Sequence, residues 1–373
     1  MRERLINFGA GPAMMPEAVL RRIREEAFDY CGSSVSVFEL GHRTPEFEAI
    51  LGGLRDRIRR LLAVPKDYDI LFCQGGGRLQ FAMVPMNLFG AGAIASYIVT
   101  GSWSRNAQRE ALRIGRVQTA FAGNGTHAPR PDEYECLPEA AYLYYCDNET
   151  VHGVEFRDPP KAPERVPLVA DMSSNFLSRP VDVNRFGLIW ACAQKNFGIA
   201  GLSVVIIRRD LLGLAAPNVP TLMNFSVYSR TGSTPNTPPI FAIYVAALMA
   251  EWIEAEGGLE EMNSRALARS SIIYSTLDEL RDVYTLPVEP ESRSRMNVVF
   301  RLADEESTGE FLAGAARRGL INLAGHRSVG GIRASLYNSM PMKGAELLAE
   351  YLREYAGRTL ARKRSSPAQS RGR

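Results

Sequence analysis

Cysteine and lysine are both scarce in this chain of 373 residues. The five cysteines, Cys31, Cys73, Cys136, Cys146 and Cys192, are odd in number and contain no CxxC pair, so neither a disulfide framework nor a zinc site is predicted. Apolar runs such as Leu202 to Ile207 stop far short of the roughly 20 residues a membrane-spanning helix needs. The N-terminus carries Arg2, Glu3 and Arg4 at once and lacks the apolar core of a signal peptide. Reduced cytoplasm and no membrane contact are the expectations. The lysine of a GKS/GKT phosphate loop and the GxGxxG fingerprint are also missing, which argues against a nucleotide kinase or a dinucleotide-dependent dehydrogenase.

Acidic residues are absent from one place in particular. The last sixteen residues, 358–373, hold six Lys/Arg and no acid, leaving 38 basic against 41 acidic residues elsewhere. The net charge of +3 is therefore parked in a Ser/Pro/Gly-containing tail that is predicted to be disordered, and nucleic-acid binding is not expected. A hydrophobic fraction of 46% and a charged fraction of 23% are ordinary for a folded globular chain, and the length calls for one large domain with a smaller companion.

Between about 68 and 210, β-rich runs alternate with helical stretches: 70–73, 96–100, 141–146, 166–170, 188–193 and 202–207. This pattern predicts an α/β fold with a mostly parallel sheet covered by helices on both faces. Helices are predicted over 16–30, 46–63, 239–255 and 259–283, followed by a strand–helix–strand unit near 296–301, 307–319 and 330–336. The organisation expected is an N-terminal arm over 1–15 that wanders, a large domain over 16–255, a small α+β domain over 256–357 and the basic tail.

Of 44 Lys and Arg residues only five are lysine, so a lysine in an apolar setting needs a reason. Lys195 follows the run Leu188 to Gln194, just past the end of a predicted buried strand, where ligands bind in open α/β sheets. A buried ammonium tends to lose its proton, and the neutral amine can form an imine with a carbonyl cofactor. The same pattern also allows a lysine that lays its stem along the strand end and its charge in water. Asp171 ends another apolar run, in a place suited to pairing with the ring nitrogen of a pyridoxal cofactor or, equally, to capping a helix. The turn Gly75-Gly76-Gly77-Arg78 before a helix suits a phosphate. Trp103 follows the next strand and suits either a flat ring or the core. Two His-Arg pairs, His42-Arg43 and His326-Arg327, together with Arg333, point to a dianionic or phosphorylated substrate, or to surface ion pairs.

Beside His42-Arg43, the chain carries longer stretches, some of which hold these residues: Asn7-Phe8-Gly9-Ala10-Gly11-Pro12-Ala13, Cys146-Asp147-Asn148-Glu149-Thr150, Asp171-Met172-Ser173-Ser174, Ala193-Gln194-Lys195-Asn196, Asn236-Thr237-Pro238-Pro239 and Gly325 to Ser335. With them, the sequence from Asn7 to about Tyr355 resembles the phosphoserine aminotransferases, pyridoxal 5'-phosphate enzymes of the aspartate-aminotransferase fold (fold type I). The resemblance implies that Lys195 joins the cofactor and shuttles a proton, Asp171 pairs with the ring nitrogen, Trp103 stacks on the ring and Thr150 meets the ring hydroxyl. It implies that the cofactor phosphate is held by Gly77, Arg78 and Gln194, with Asn236 and Thr237 from a partner subunit, hence a homodimer with a shared active site. It also implies that Arg333 takes the substrate α-carboxylate and that His42, Arg43, His326 and Arg327 take the distal anion. The reaction implied passes the amino group of L-glutamate to 3-phosphohydroxypyruvate in serine biosynthesis. Thr44-Pro45 after Arg43 departs from the family pattern, and it motivates an alternative: a specialised-pathway enzyme acting on another anionic 2-oxo acid.

Overall fold

The computed structural model describes residues 4–90 and 92–365. The chain opens with a short strand, β1 (Ile6–Asn7), and two helices, α1 (Glu17–Glu26) and α2 (Pro45–Leu61). Thr44 caps α2 by accepting a hydrogen bond from Phe47 N at 3.4 Å, and Pro45 takes the first helical turn, where its missing N–H is no loss. The Thr44-Pro45 departure is thus a helix start.

The main sheet then forms from β2 (Tyr68–Gln74), α3 (Gly77–Leu88), β3 (Ile94–Val99), α4 (Ser102–Ala111), β4 (Arg116–Ala122) and β5 (Leu143–Cys146). After the small hairpin β6 (Asn148–Glu149) and β7 (Val154–Glu155) come β8 (Leu168–Asp171), β9 (Leu188–Cys192) and β10 (Leu202–Arg208). Seven strands pair in the order β2-β10-β9-β8-β5-β3-β4. Only β10 runs against its neighbours, so the link from β9 to β10 is a turn at the sheet edge rather than a crossover helix, and Lys195 sits in that turn. Alternate side chains face opposite layers: Ile70, Phe72, Ile189, Val204 and Ile206 join one apolar cluster, while Leu71, Cys73, Trp190, Val205 and Ile207 join another. Strand β4 escaped prediction because it is the sheet edge, with Arg116, Thr119 and Ala122 exposed.

Beyond the sheet lie α5 (Phe225–Arg230), α6 (Ile240–Ala255) and α7 (Gly258–Glu279). Helix α6 is apolar all round because α1, α2 and α7 pack on it. The rest comprises β11 (Tyr284–Thr285), β12 (Asn297–Leu302), α8 (Thr308–Arg317), β13 (Leu320–Ile321), β14 (Ile332–Ser335) and α9 (Met342–Ser365). Strands β11, β12 and β14 make an antiparallel sheet over a separate core that includes Phe300, Phe311, Tyr351 and Leu352.

Two expectations need correction. The arm does not wander: β1 pairs in parallel with β13, Phe8 is buried in the second core, Tyr337 Oη donates to Ala10 O at 2.9 Å and Ala13 N donates to Gln194 O at 3.0 Å. Backbone pairing plus one buried aromatic ring is enough to pin it. The basic tail is not disordered from Arg358 onward, since α9 continues to Ser365. Its apolar stripe runs through Tyr351, Leu352, Tyr355, Ala356 and Leu360, while Arg362 pairs with Glu310 at 3.1 Å on the outer face. Residues 366–373 of that tail lie outside the described residues.

Candidate active site

The carboxyl ends of β5, β8 and β9 and the turns after β2 and β3 converge on a cavity of about 490 Å³. This convergence follows from parallel pairing, which brings the same ends of successive strands to one edge. Lys195 projects there and donates from Nζ to Thr150 Oγ1 at 2.8 Å, 5.7 Å from the centre of the Trp103 ring. Arg78, at the start of α3, places its guanidinium carbon 6.0 Å from the same ring. Gly76 and Gly77 line the cavity at the positive end of α3. A Cβ on Gly77 would lie 3.1 Å from the Trp190 ring, so the backbone approaches closely only without a side chain.

Asp171 is the last residue of β8 and almost fully buried. Its Oδ1 accepts from Ser173 N at 2.9 Å, and its Oδ2 lies 3.9 Å from the Cys146 thiol. Burial pushes its carboxyl up to about 6, with Lys195 and Ser173 acting the other way. At Lys195 burial acts to lower the amine, but Tyr337, Cys192, Asp171 and Cys146 outweigh it and hold the ammonium above the ordinary lysine range. Burial alone predicts a lysine that loses its proton; at this site the neighbouring groups act the other way, Asp171 being the one carboxylate among them.

At the other side of the cavity, Arg333 donates from Nη1 to Thr150 O at 3.4 Å and keeps a buried Nε without a partner. His326 Nδ1 pairs with Ser328 Oγ at 2.7 Å and lies 3.2 Å from Ser328 N, which makes Nδ1 the acceptor and leaves the proton on Nε2. Burial, then Arg333, Arg327 and Arg78, hold His326 below the ordinary histidine range. With Lys195, Arg78 and Arg333 facing a single buried carboxylate, the cavity favours an anionic guest.

Nine sequence-predicted residues line this cavity: Gly77, Arg78, Trp103, Thr150, Asp171, Gln194, Lys195, His326 and Arg333. The chain does not bring His42, Arg43, Asn236, Thr237 or Arg327 to its lining. Asn236 instead donates to Gln74 Oε1 at 3.1 Å, and His42-Arg43 precede α2. Sequence reasoning assigned no role to Ala10, Gly11, Cys146, Asn148 or Ser173, all of which line the cavity. The positions of Cys146 and Ser173 at strand ends were a usable signal; the return of the N-terminal turn to the site was not. A pyridoxal phosphate fits what is present: an amine, a buried acid set apart from a glycine-lined helix start, a ring-sized aromatic wall, and buried Trp103 Nε1 and Gln194 Oε1 without partners.

Comparison with known proteins agrees with this arrangement. The family model described as Aminotransferase class-V matches residues 5–348. The phosphoserine aminotransferase of Acidithiobacillus ferrooxidans is 48% identical over 359 residues, covering 95% of this chain and 99% of that protein. The solved phosphoserine aminotransferase of Bacillus circulans subsp. alkalophilus superposes with a TM-score of 0.93 at 41% identity, covering 95% of this chain and 99% of that one. The pyridoxal phosphate-bound phosphoserine aminotransferase of Trichomonas vaginalis superposes with a TM-score of 0.90 at 38% identity, covering 94% and 100%. A lysine, a buried aspartate and an aromatic wall at the carboxyl edge of one sheet are thus met in a chain that belongs to the class V aminotransferases.

Proposed function

We propose that this chain transfers the amino group of L-glutamate to 3-phosphohydroxypyruvate, giving O-phospho-L-serine and 2-oxoglutarate, with pyridoxal 5'-phosphate as cofactor and serine biosynthesis as the setting. The observation that carries the reading is Lys195 held between Thr150 and the Trp103 ring in the cavity that Asp171 also lines. When bound, pyridoxal phosphate supplies an aldehyde for the incoming amine and a ring that spreads the negative charge left when the α-proton departs. With the cofactor bound, Lys195 would be the group placed to take up that proton at the substrate α-carbon and give it back. Asp171 keeps the ring nitrogen protonated, a task suited to a buried carboxylate with a single backbone donor. Trp103 covers the ring face, Thr150 meets the ring hydroxyl, and Gly77, Arg78 and Gln194 hold the phosphate. Arg333 takes the α-carboxylate of either substrate, with His326 and Arg327 at the distal anion. Comparing rates for 3-phosphohydroxypyruvate and unphosphorylated hydroxypyruvate tests the substrate: preference for the latter sinks this reading. The Thr44-Pro45 departure, which motivated another 2-oxo acid, is accounted for by the start of α2.

The active unit in this reading is a homodimer in which Asn236, Thr237, His42 and Arg43 act in the partner's cavity. Their absence from this chain's own cavity lining supports it, as do the exposed rings of Phe28 (87% accessible) and Phe38 (61%) in the segment before His42. Mixing inactive Lys195→Ala and Asn236→Ala subunits after dissociation should restore about a quarter of wild-type activity, through the one cavity of each hybrid that holds both native residues; no recovery would remove the shared site. Residues 1–15, 16–255 and 256–357 are read as arm, cofactor-binding domain and small domain, supported by two separate apolar cores. Five free cysteines support a reducing cytoplasm. Among the described residues no helix is long and apolar enough to cross a membrane.

A further inference from the structure

Glu149 is wholly buried and directly precedes Thr150, and its carboxylate reaches the start of α4. Its Oε2 accepts from Trp103 N at 2.9 Å, while its Oε1 accepts from Ser104 N at 2.8 Å and from Ser104 Oγ at 2.6 Å. The residue preceding α4 is Gly101, which has no side chain to cap the helix, so the carboxylate from 45 positions along the chain satisfies those first N–H groups. Ser104 Oγ in turn accepts from Thr100 N at 3.0 Å and Gly101 N at 3.1 Å, so one carboxylate grips both the helix and the turn entering it. Space is tight: a Cβ on Gly101 would lie 2.7 Å from Glu149 Cδ. Burial acts to raise the Glu149 carboxyl, and the three donors oppose it. All three contacts are donors aimed at oxygen, which suits an ionised acid and not an amide.

We propose that Glu149 is a positioning residue which, by gripping Trp103 N and Ser104, sets where the Trp103 indole lies over the cofactor ring and locks it in register with the neighbouring Thr150. The inference rests on the reading of Trp103 as the residue facing that ring. The indole makes no hydrogen bond of its own, since its Nε1 is buried without a partner; its ring lies 6.5 Å from Phe81 and near the two cations and rests on the apolar cluster that includes Phe81, so the polar grip on its position comes through its backbone. Glu149→Gln keeps the shape but turns an N–H₂ group against one of the donors, leaving buried groups unsatisfied.

The test uses full-length enzyme loaded with pyridoxal phosphate, in four forms: Glu149→Gln, Glu149→Asp, Trp103→Phe and the Gln/Phe double variant. Circular dichroism in the visible band of the bound cofactor and cofactor affinity by titration are measured beside thermal melting. Glu149→Gln is expected to lower the visible signal per bound cofactor by about half and to weaken affinity about tenfold. Glu149→Asp should move both the same way by about threefold in affinity, and it carries the test should the Gln variant fold poorly. On the Trp103→Phe background, Glu149→Gln should add less than about twofold. An equal effect on both backgrounds, or a lower melting temperature with unchanged dichroism, overturns the proposal. If Trp103→Phe alone changes neither readout, the reading of Trp103 falls and takes this inference with it.

Discussion

At the Asp171 end of the cavity, the polar groups are buried and borne on strand ends or the turns that leave them: Asp171, Ser173, Cys146 and Asn148 are each no more than 6% accessible. Asn148 Nδ2 donates to Ser174 Oγ at 2.7 Å, and Cys192 N donates to Ser173 Oγ at 3.2 Å, so this end is cross-braced. At the opposite end, His326 sits on the loop between β13 and β14, its ring held only by Ser328, and Arg327 is exposed. In the proposed reading, the chemistry common to all substrates falls where the sheet fixes geometry, and the discrimination between substrates where loops and charges adapt.

Lys195→Ala should break the first end outright, lowering kcat by about 10⁴-fold and removing the visible absorbance of the covalently held cofactor while the fold melts as before. A variant with full turnover would refute the assignment. Asp171→Asn should cost about 10²- to 10³-fold in kcat with little change in KM, because it removes charge from the reacting ring and leaves substrate contacts alone. Arg333→Ala sits between the two ends and should lower kcat/KM for glutamate and for the oxo acid alike by about 10²-fold; a selective loss would place its partner elsewhere. The smallest effect belongs to the loop end. His326→Gln should weaken the phosphorylated substrate about tenfold and spare a substrate lacking a distal anion.

That last variant also carries a pH signature. His326 is held below the ordinary histidine range by burial and by Arg333, Arg327 and Arg78, so it is neutral at pH 7 with no anion bound. An anion raises its affinity for protons, so sulfate, which does not titrate here, should inhibit more strongly as pH falls from 8 to 6. In His326→Gln that slope should vanish; a slope that persists assigns the proton to another group.

Much of the braced end was legible. Lys195 stood out because arginine otherwise supplies nearly all positive charge, and Asp171 because an acid closing an apolar run has few other places to be. The glycine turn and Trp103 were legible from their place after strands. The upward shift of the Lys195 amine was not, because Tyr337, Asp171 and Cys146 come from other stretches of the chain. The N-terminal turn was read as loose because its anchors, β13 and Tyr337, lie 314 and 327 residues onward. The tail was read by composition, but periodicity through Tyr355 and Leu360 governs its first half.

Composition and local pattern by themselves determined the layered α/β class, the strand edge on which the cavity opens and the lysine that lines it, because burial period and residue scarcity are properties of neighbours in the chain. Only the tertiary structure decided the direction in which that amine is shifted, the grip of Glu149 on the Trp103 helix and the absence of His42, Arg43, Asn236 and Thr237 from this chain's own cavity lining. Each of those depends on groups brought together across the fold, and electrostatics and close approach act through space rather than along the sequence.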